Sequence, residues 1–563
     1  MSGTSIRKRL TTNLLSDEAY VFETKEERTV PNRPLVQLFL VVLFFVVSFV
    51  LYIAVRPFNM AFGTPDGAVA KAVGIFLIFW VVVYYVVERF RKKMTFEKTF
   101  YVIFFLAFLI HLTYMLYTLG TTRQYDTWST NNDSHYNYAL SFYETGKLPD
   151  HHNTVDTVYQ FYHPPLNAFI QGNFMHLFEI LCPVASLADT PEKLFSACQI
   201  LACLYSTLTS LFFMKTINLT NLTKEGKILA FAIVGLYPRL AEFSGQLNND
   251  VLATALSAIA LYYFCRWFFK ERKWIDILLC GLFVGLAMMA KMSAAAICLG
   301  MGIVFAIVFF RSLFHKERTK VSRLIPQYIV FLLICAPLGL WFQFYTHFVW
   351  GLPFNFVFTN LNSQLFTGTR DWVLNNKPND IAYYDENNSG LVYTSTAYNI
   401  LVRYILPFYP PDINDLYCNA FGNYNLLFYS LRCSIFGEFS YFQGEGFALI
   451  AILSLYVAYW TMVVGTVRVM LAKKLKREGT LFLYLFLGMV AMLIYLKVKM
   501  PYGCSMDFRY IVPIILPCGY LYGRMTDYLG NENRIHCVGN KFFCQFVGGI
   551  FVTSSYLFYM TAI

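Results

Sequence analysis

The residues of this chain best placed to do chemistry are an aspartate, a lysine and an arginine that lie far apart in sequence. Asp126 comes just after an apolar run long enough to cross a bilayer. It sits inside the polar stretch RQYDTWSTNNDSHYNYALSFYETGKLPDHHNTVDTVYQFYHPPL, from Arg123 to Leu166. A carboxylate at a membrane surface is costly to desolvate and often marks a site. Arg123, His135 and Tyr136 close by favour that reading over a solvated acid or a helix cap. Lys291 is the one charge between Ile277 and Phe310. It is either a lysine that snorkels to the interface or a cation that meets an anionic lipid headgroup. Arg509 opens another apolar run, followed by Tyr510 and Pro513, and offers a phosphate two parallel N–H donors. Either cation alone would be an anchor; both on one phosphate would be a site.

Other polar elements are candidates for its walls. In Tyr162-His163-Pro164-Pro165 the prolines remove two backbone donors and stiffen the entry to a helix, which would hold His163 in place. Asn248-Asn249-Asp250 opens an apolar run. One of the three suffices to cap that helix, so the stretch is either cap or site wall, with Asn249 and Asp250 as candidates for the wall. Glu438, in Phe436-Gly437-Glu438-Phe439, is an acid among aromatic residues, either a site residue or a membrane-surface acid. Asp133 has the weaker role of capping HYNYALSFYETG, which Gly146 ends. Metal spacing such as His-x-x-x-His, nucleotide-phosphate glycine motifs and the Gly-x-Ser-x-Gly elbow are all missing. No cofactor is therefore implied, and a divalent metal stays open.

What must position these residues is a membrane bundle. The chain is 57% hydrophobic, 18% aromatic and only 14% charged, against about 25% charged in soluble domains. Apolar runs of helix-spanning length recur, without the alternation of a β-barrel. About thirteen spans are expected near 35–55, 67–88, 98–119, 193–215, 228–243, 248–268, 275–290, 293–310, 325–349, 446–468, 479–497, 509–526 and 544–562. The segment 163–181 is apolar on one face and reads as an interfacial helix. The net charge of +11 comes from Lys and Arg in short loops, a topology signal rather than a nucleic-acid surface. With these spans the basic clusters at 7–9, 89–93, 224–227, 266–273, 311–323 and 468–478 all fall on one face, which makes that face cytoplasmic. The loops 120–192 and 350–445, with 245–250, Lys291 and 499–509, then share the exterior face.

Residues 1–34 would be a cytoplasmic tail without a cleavable signal, 35–97 an accessory pair of spans, and 98–349 a catalytic membrane module with first exterior loop 120–192. Residues 350–445 would form a second exterior loop or lid, carrying Trp372, Tyr383 and Tyr384, and 446–563 the C-terminal helices. The thirteen cysteines are scattered and read as small buried residues, although a bridge among Cys418, Cys433 and Cys504 in exterior loops stays open.

The elements RQYD, SHYNYALSFYETGKLP, YQFYHPPL, LNNDVLA, FGEF and FRYIVP, in this order across residues 98–526, resemble the GT-C glycosyltransferases. The likeness is to their protein mannosyltransferase-like and aminoarabinose transferase-like branch. Two spans before the polar loop, and the lack of an Asp-Glu pair after the span leading into it, depart from that pattern. The resemblance implies an all-α integral-membrane enzyme that moves a sugar from a polyprenyl-phosphate donor to a glycan, lipid or protein acceptor at the exterior face. Asp126 would then be the general base. Lys291 and Arg509 would bind the donor phosphate, and Arg123, His135, Tyr162, His163, Asn249, Asp250 and Glu438 would line the pocket. A polytopic transporter or flippase, and a non-catalytic glycan-assembly protein, are the competing classes. Polar residues gathered at one surface, without paired broken helices, count against the transporter. A bacterial plasma membrane fits; the endoplasmic reticulum does too, since Asn132-Asp-Ser and Asn387-Asn-Ser are sequons. All of this requires Asp126 and Arg509 to share one mouth.

Overall fold

The computed structural model describes residues 30–561 except 62–66, 129–133, 150–160, 271, 315–317, 355–425, 438–444, 500–506 and 531–534. Asp133, Glu438, Cys418, Cys504 and the aromatic residues Trp372, Tyr383 and Tyr384 therefore lie outside the described residues. The described chain is all-helical. The first three helices are α1 (Pro34–Ala61), α2 (Ala68–Phe90) and α3 (Phe96–Tyr117). Short helices α4 (His135–Thr145), α5 (Leu166–Leu181) and α6 (Pro191–Ser196) follow the polar stretch. Then come α7 (Gln199–Leu219), α8 (Lys224–Gly235), α9 (Pro238–Phe243), α10 (Asn249–Phe269) and α11 (Trp274–Ala290). The remainder is α12 (Ala296–Phe314), α13 (Arg318–Trp350), α14 (Leu426–Phe436), α15 (Glu445–Leu471), α16 (Lys476–Lys499), α17 (Ile515–Gly530) and α18 (Ile535–Thr561).

Every expected span has a helical counterpart, but the count of thirteen is not reached. Among the described residues ten helices are long and apolar enough to cross a membrane. The run 228–243 is broken: α8 stops at Gly235, and Pro238 restarts the chain as the six-residue α9. Helix α11 has 17 residues, below that length. The run 509–526 begins as a 3-10 turn, Phe508–Ile514, with Pro513 inside it, before α17 takes over. Helix α5 is one-sided as expected. It buries Asn167, Gln171, Met175 and Phe178 and exposes Phe169, Ile180 and Leu181. Cys433 is not in a loop but buried on α14.

Burial separates centre from rim. In the apolar 18-residue stretch of each helix, 78% of the residues of α3 and 83% of those of α10 are buried, against 17% in α1 and 11% in α2; α1 and α2 present apolar faces outward, as lipid-facing helices do. The outward α2 face includes Phe76, Phe79 and Trp80. Small residues set the closest crossings. A Cβ on Gly488 of α16 would stand 2.6 Å from the backbone nitrogen of Gly300 on α12, so the two helices touch backbone to backbone.

Two groups of polar contacts stand apart. In one, the basic segments meet: Lys541 pairs with Glu225, Arg477 donates to the Phe268 carbonyl at 2.8 Å and Glu478 accepts from the Asn221 amide at 2.8 Å. Gln327 donates to the Arg272 carbonyl at 2.9 Å. At the far ends of α3, α10 and α11 lie Asp126, Asp250 and Lys291. A Gly488→Val substitution, which forces α12 and α16 apart, is expected to lower stability by roughly 1–3 kcal/mol. Thermal unfolding in detergent reads that loss.

Candidate functional site

The site is built from the ends of helices that arrive from distant parts of the sequence. Helix α10 starts with Asn248 as its cap, whose side-chain oxygen accepts the Asp250 amide at 3.1 Å. Capping is thereby done, and Asp250 turns its carboxylate to Lys291, with Nζ to Oδ2 at 2.7 Å. Lys291 stands where α11 ends and a 3-10 turn, Met292–Ala295, begins. Both side chains are almost wholly buried. Burial draws the Lys291 ammonium down from its usual value, Asp250 opposes that, and Arg509 adds to it.

Arg509 is shared by three carboxylates. Its nitrogens lie 3.7 Å from Asp126, 4.0 Å from Asp250 and 3.8 Å from the second oxygen of Asp507. The guanidinium lies over the Tyr125 ring at 4.4 Å, and Lys291 lies over the Tyr510 ring at 5.0 Å. Asp126 is the most accessible acid of the group, its side chain 39% exposed. Its backbone is left-handed, φ 50°, as is that of Arg123, φ 53°. Its carbonyl accepts the His135 amide at 3.1 Å, which ties the loop to the start of α4.

His135 and His163 stack with ring centres 5.9 Å apart, and Tyr162 lies against His163 at 4.2 Å. The Tyr138 hydroxyl donates to the His163 carbonyl at 3.1 Å, which fixes the proline-stiffened turn. Burial above all, then the Lys291 and Arg509 cations, push His135 down to about 3; Asp250 works against them. His163 is pushed well below the ordinary histidine value by burial, Lys291, His135 and Arg509. Both rings are neutral at physiological pH.

The chain thus brings together Asp126, Asp250, Lys291, Arg509, His135 and His163. Arg123 differs: its charge acts on Tyr114 and Glu242, on the interior side of the loop. Asn249 is buried, and among the described residues its side-chain oxygen has no hydrogen-bond partner. Among the described residues no group of His, Cys, Asp and Glu is arranged to hold a metal ion.

Sequence reasoning missed the layer beneath. Arg239, fully buried on α9, donates to Glu242 at 2.5 Å, to the Tyr125 hydroxyl at 3.0 Å and to Asp507 at 3.2 Å. Asp507 in turn caps the 3-10 turn by accepting the Arg509 amide at 2.8 Å. Glu242 accepts from Gln246 at 3.0 Å, and Gln246 accepts from Asn248 at 3.4 Å. Gly437, with φ 64°, presses on the same group. A Cβ there would meet the Tyr125 hydroxyl, and would stand 2.5 Å from Glu242 and 2.6 Å from Arg239. The available signal was two opposite charges three residues apart in an apolar run, YPRLAEF.

A family model described as dolichyl-phosphate-mannose-protein mannosyltransferase matches residues 162–341. The match covers 180 of the 563 residues and falls on the protein mannosyltransferase side of the expected resemblance. The matched stretch contains Tyr162, His163, Arg239, Glu242, Asn249, Asp250 and Lys291, and leaves out Asp126 and Arg509. No curated protein matches the chain. One similar solved structure is ArnT from Cupriavidus metallidurans bound to undecaprenyl phosphate. It is 12% identical, with TM-score 0.42, covering 82% of this chain and 75% of that one. Another is the archaeal oligosaccharyltransferase AglB from Archaeoglobus fulgidus, in complex with an inhibitory peptide and a dolichol-phosphate. It too is 12% identical with TM-score 0.42, covering 82% of this chain and 55% of that one.

Two outcomes are expected. Gly437→Ala is destabilising by more than the roughly 1–2 kcal/mol of left-handed strain alone, because the methyl group displaces the Arg239 network; thermal unfolding reads this. His135, lowered in the folded state, binds its proton in the unfolded chain first. Its share of stability is complete above about pH 6.5 and is lost as pH falls toward about 3. The slope there is about 1.4 kcal/mol per pH unit. Unfolding curves of His135→Asn between pH 7.5 and 4.5 should be flatter than those of the natural protein; parallel curves would contradict this.

Proposed function

We propose that this protein is an integral-membrane glycosyltransferase that takes a sugar from a polyprenyl-phosphate donor at the exterior membrane face and passes it to an acceptor hydroxyl. Membrane glycosyl transfer is the class that the family match supports. The observation that carries the finer reading is the meeting of Asp126, Asp250, Lys291 and Arg509 at one mouth, although they come from four separate parts of the chain.

In this reading the acceptor oxygen attacks the anomeric carbon while the bond from that carbon to the phosphate oxygen breaks. Asp126, the accessible carboxylate, receives the hydroxyl proton. Lys291 and Arg509 offset the negative charge that grows on the departing lipid phosphate. Asp250 holds Lys291 in place, and the neutral His135 and His163 form a polar wall that adds no charge beside the donor. Tyr162 and Asn249 extend that wall, and Arg123 supports the loop from beneath. The acceptor is a glycan, a lipid or a protein. Residues 98–349 act as the catalytic module, and 446–563 supply Arg509. A plasma membrane of bacterial type is the setting that fits, with the endoplasmic reticulum as alternative.

Two experiments on purified protein test this. Asp126→Asn should cut turnover with a polyprenyl-phosphate sugar by about 100- to 10,000-fold and leave undecaprenyl phosphate binding within a few fold. Arg509→Ala should weaken that binding by roughly 10- to 100-fold. A transporter would keep moving lipid in Asp126→Asn, and a non-catalytic binder would show no turnover in the natural protein. Full turnover by Asp126→Asn removes Asp126 from the mechanism.

A further inference from the structure

Helix α1 lies at the rim of the bundle, yet it carries a buried charge near its end. Arg56 is 4% exposed, and among the described residues no carboxylate pairs with it. Its partners are instead the carbonyls at the end of α3, to which it donates at 3.0 Å (Thr118) and 3.5 Å (Met115), and the side-chain oxygen of Gln199. Its guanidinium also lies over the Tyr52 ring at 4.7 Å. The last carbonyls of a helix have no partner within it and carry partial negative charge, so a cation placed there both satisfies them and is satisfied. A buried arginine held this way is costly to remove, since the carbonyls lose their donor.

From Arg56 an unbroken set of hydrogen bonds runs to the loop that carries Asp126. Gln199 donates to the Thr118 carbonyl at 3.2 Å and to the Gly245 carbonyl at 2.8 Å. Gln124 donates to the same Gly245 carbonyl at 2.8 Å and accepts the Leu247 amide at 2.9 Å. Gln171 on α5 closes the set on the Leu247 carbonyl at 2.6 Å. Gln124 is two residues before Asp126, between the left-handed backbones of Arg123 and Asp126. Such backbones persist only where their surroundings hold them on several sides. Arg56 touches neither Asp126 nor the site; it acts through Thr118, Gln199 and Gln124.

We infer that α1 belongs to the catalytic machinery, with Arg56 as a positioning residue that holds the loop from Thr118 to Trp128, and so the Asp126 carboxylate. Naming that machinery catalytic rests on the glycosyl transfer proposed above; the positional claim does not.

The test uses the full chain, purified as the natural protein, Arg56→Met and Arg56→Lys. Hydrogen–deuterium exchange is followed in peptides covering 118–128 and, as a control, 508–516. In Arg56→Met the loop peptide should exchange at least about tenfold faster, with the control within about twofold. Arg56→Lys, which keeps the charge but loses the fork, should fall between. Undecaprenyl phosphate binding should stay within about twofold, and with a sugar donor kcat should fall while KM holds. Unchanged exchange in 118–128, or equal acceleration in the control peptide, overturns the proposal. If Arg56→Met fails to fold, the same criteria applied to Arg56→Lys decide. If the natural protein shows no sugar transfer, the functional reading fails while the exchange result still decides the role of Arg56.

Discussion

A fully buried arginine must be surrounded by groups that satisfy its charge, and that constraint at Arg239 shapes everything above it. Glu242 answers from the same short helix, Asp507 from the end of the bundle 268 residues away, and Tyr125 from the loop that carries Asp126. Removing one member of such a group leaves a buried charge unbalanced, which is costly in a low-dielectric interior. The three segments are therefore obliged to meet. Because Asp507 also caps the turn that bears Arg509, and Tyr125 lies beneath the Arg509 guanidinium, the meeting sets where the outer charges stand.

Two layers follow. The lower one, Arg239 with Glu242 and Asp507, is sealed. The upper one, Asp250 and Lys291 with Arg509, opens toward Asp126, which alone keeps appreciable exposure. The stacked histidines complete its edge without adding charge. On the proposed reading, this charged floor would stabilise charge on one side of the displacement while the accessible carboxylate collects a proton on the other.

Much of this was legible in the sequence. Helix-length apolar runs separated by basic loops mark where most of the helices run and put Asp126, Asp250, Lys291 and Arg509 at one end, because hydropathy and charge report directly on where a segment can sit. The end of α8 was not legible as a break, since Pro238 inside an apolar run reads as tolerable in a membrane helix. Nor was the Arg239 network. An ion pair within one apolar run can be read locally, but its third partner, Asp507, is joined to it only by the fold. The choice between Asn248 and Asn249 as cap also waited for coordinates, as both residue types cap equally well. Glu438 and the loop over 350–445 lie largely beyond the described residues.

The central claim is that a lipid phosphate sits between Lys291 and Arg509, next to Asp126. An experimental structure of the protein with undecaprenyl phosphate tests it most directly. The account predicts phosphate density within hydrogen-bonding distance of both the Lys291 ammonium and the Arg509 guanidinium. Phosphate bound at the basic end of the bundle, near Glu225 and Arg477, would contradict it.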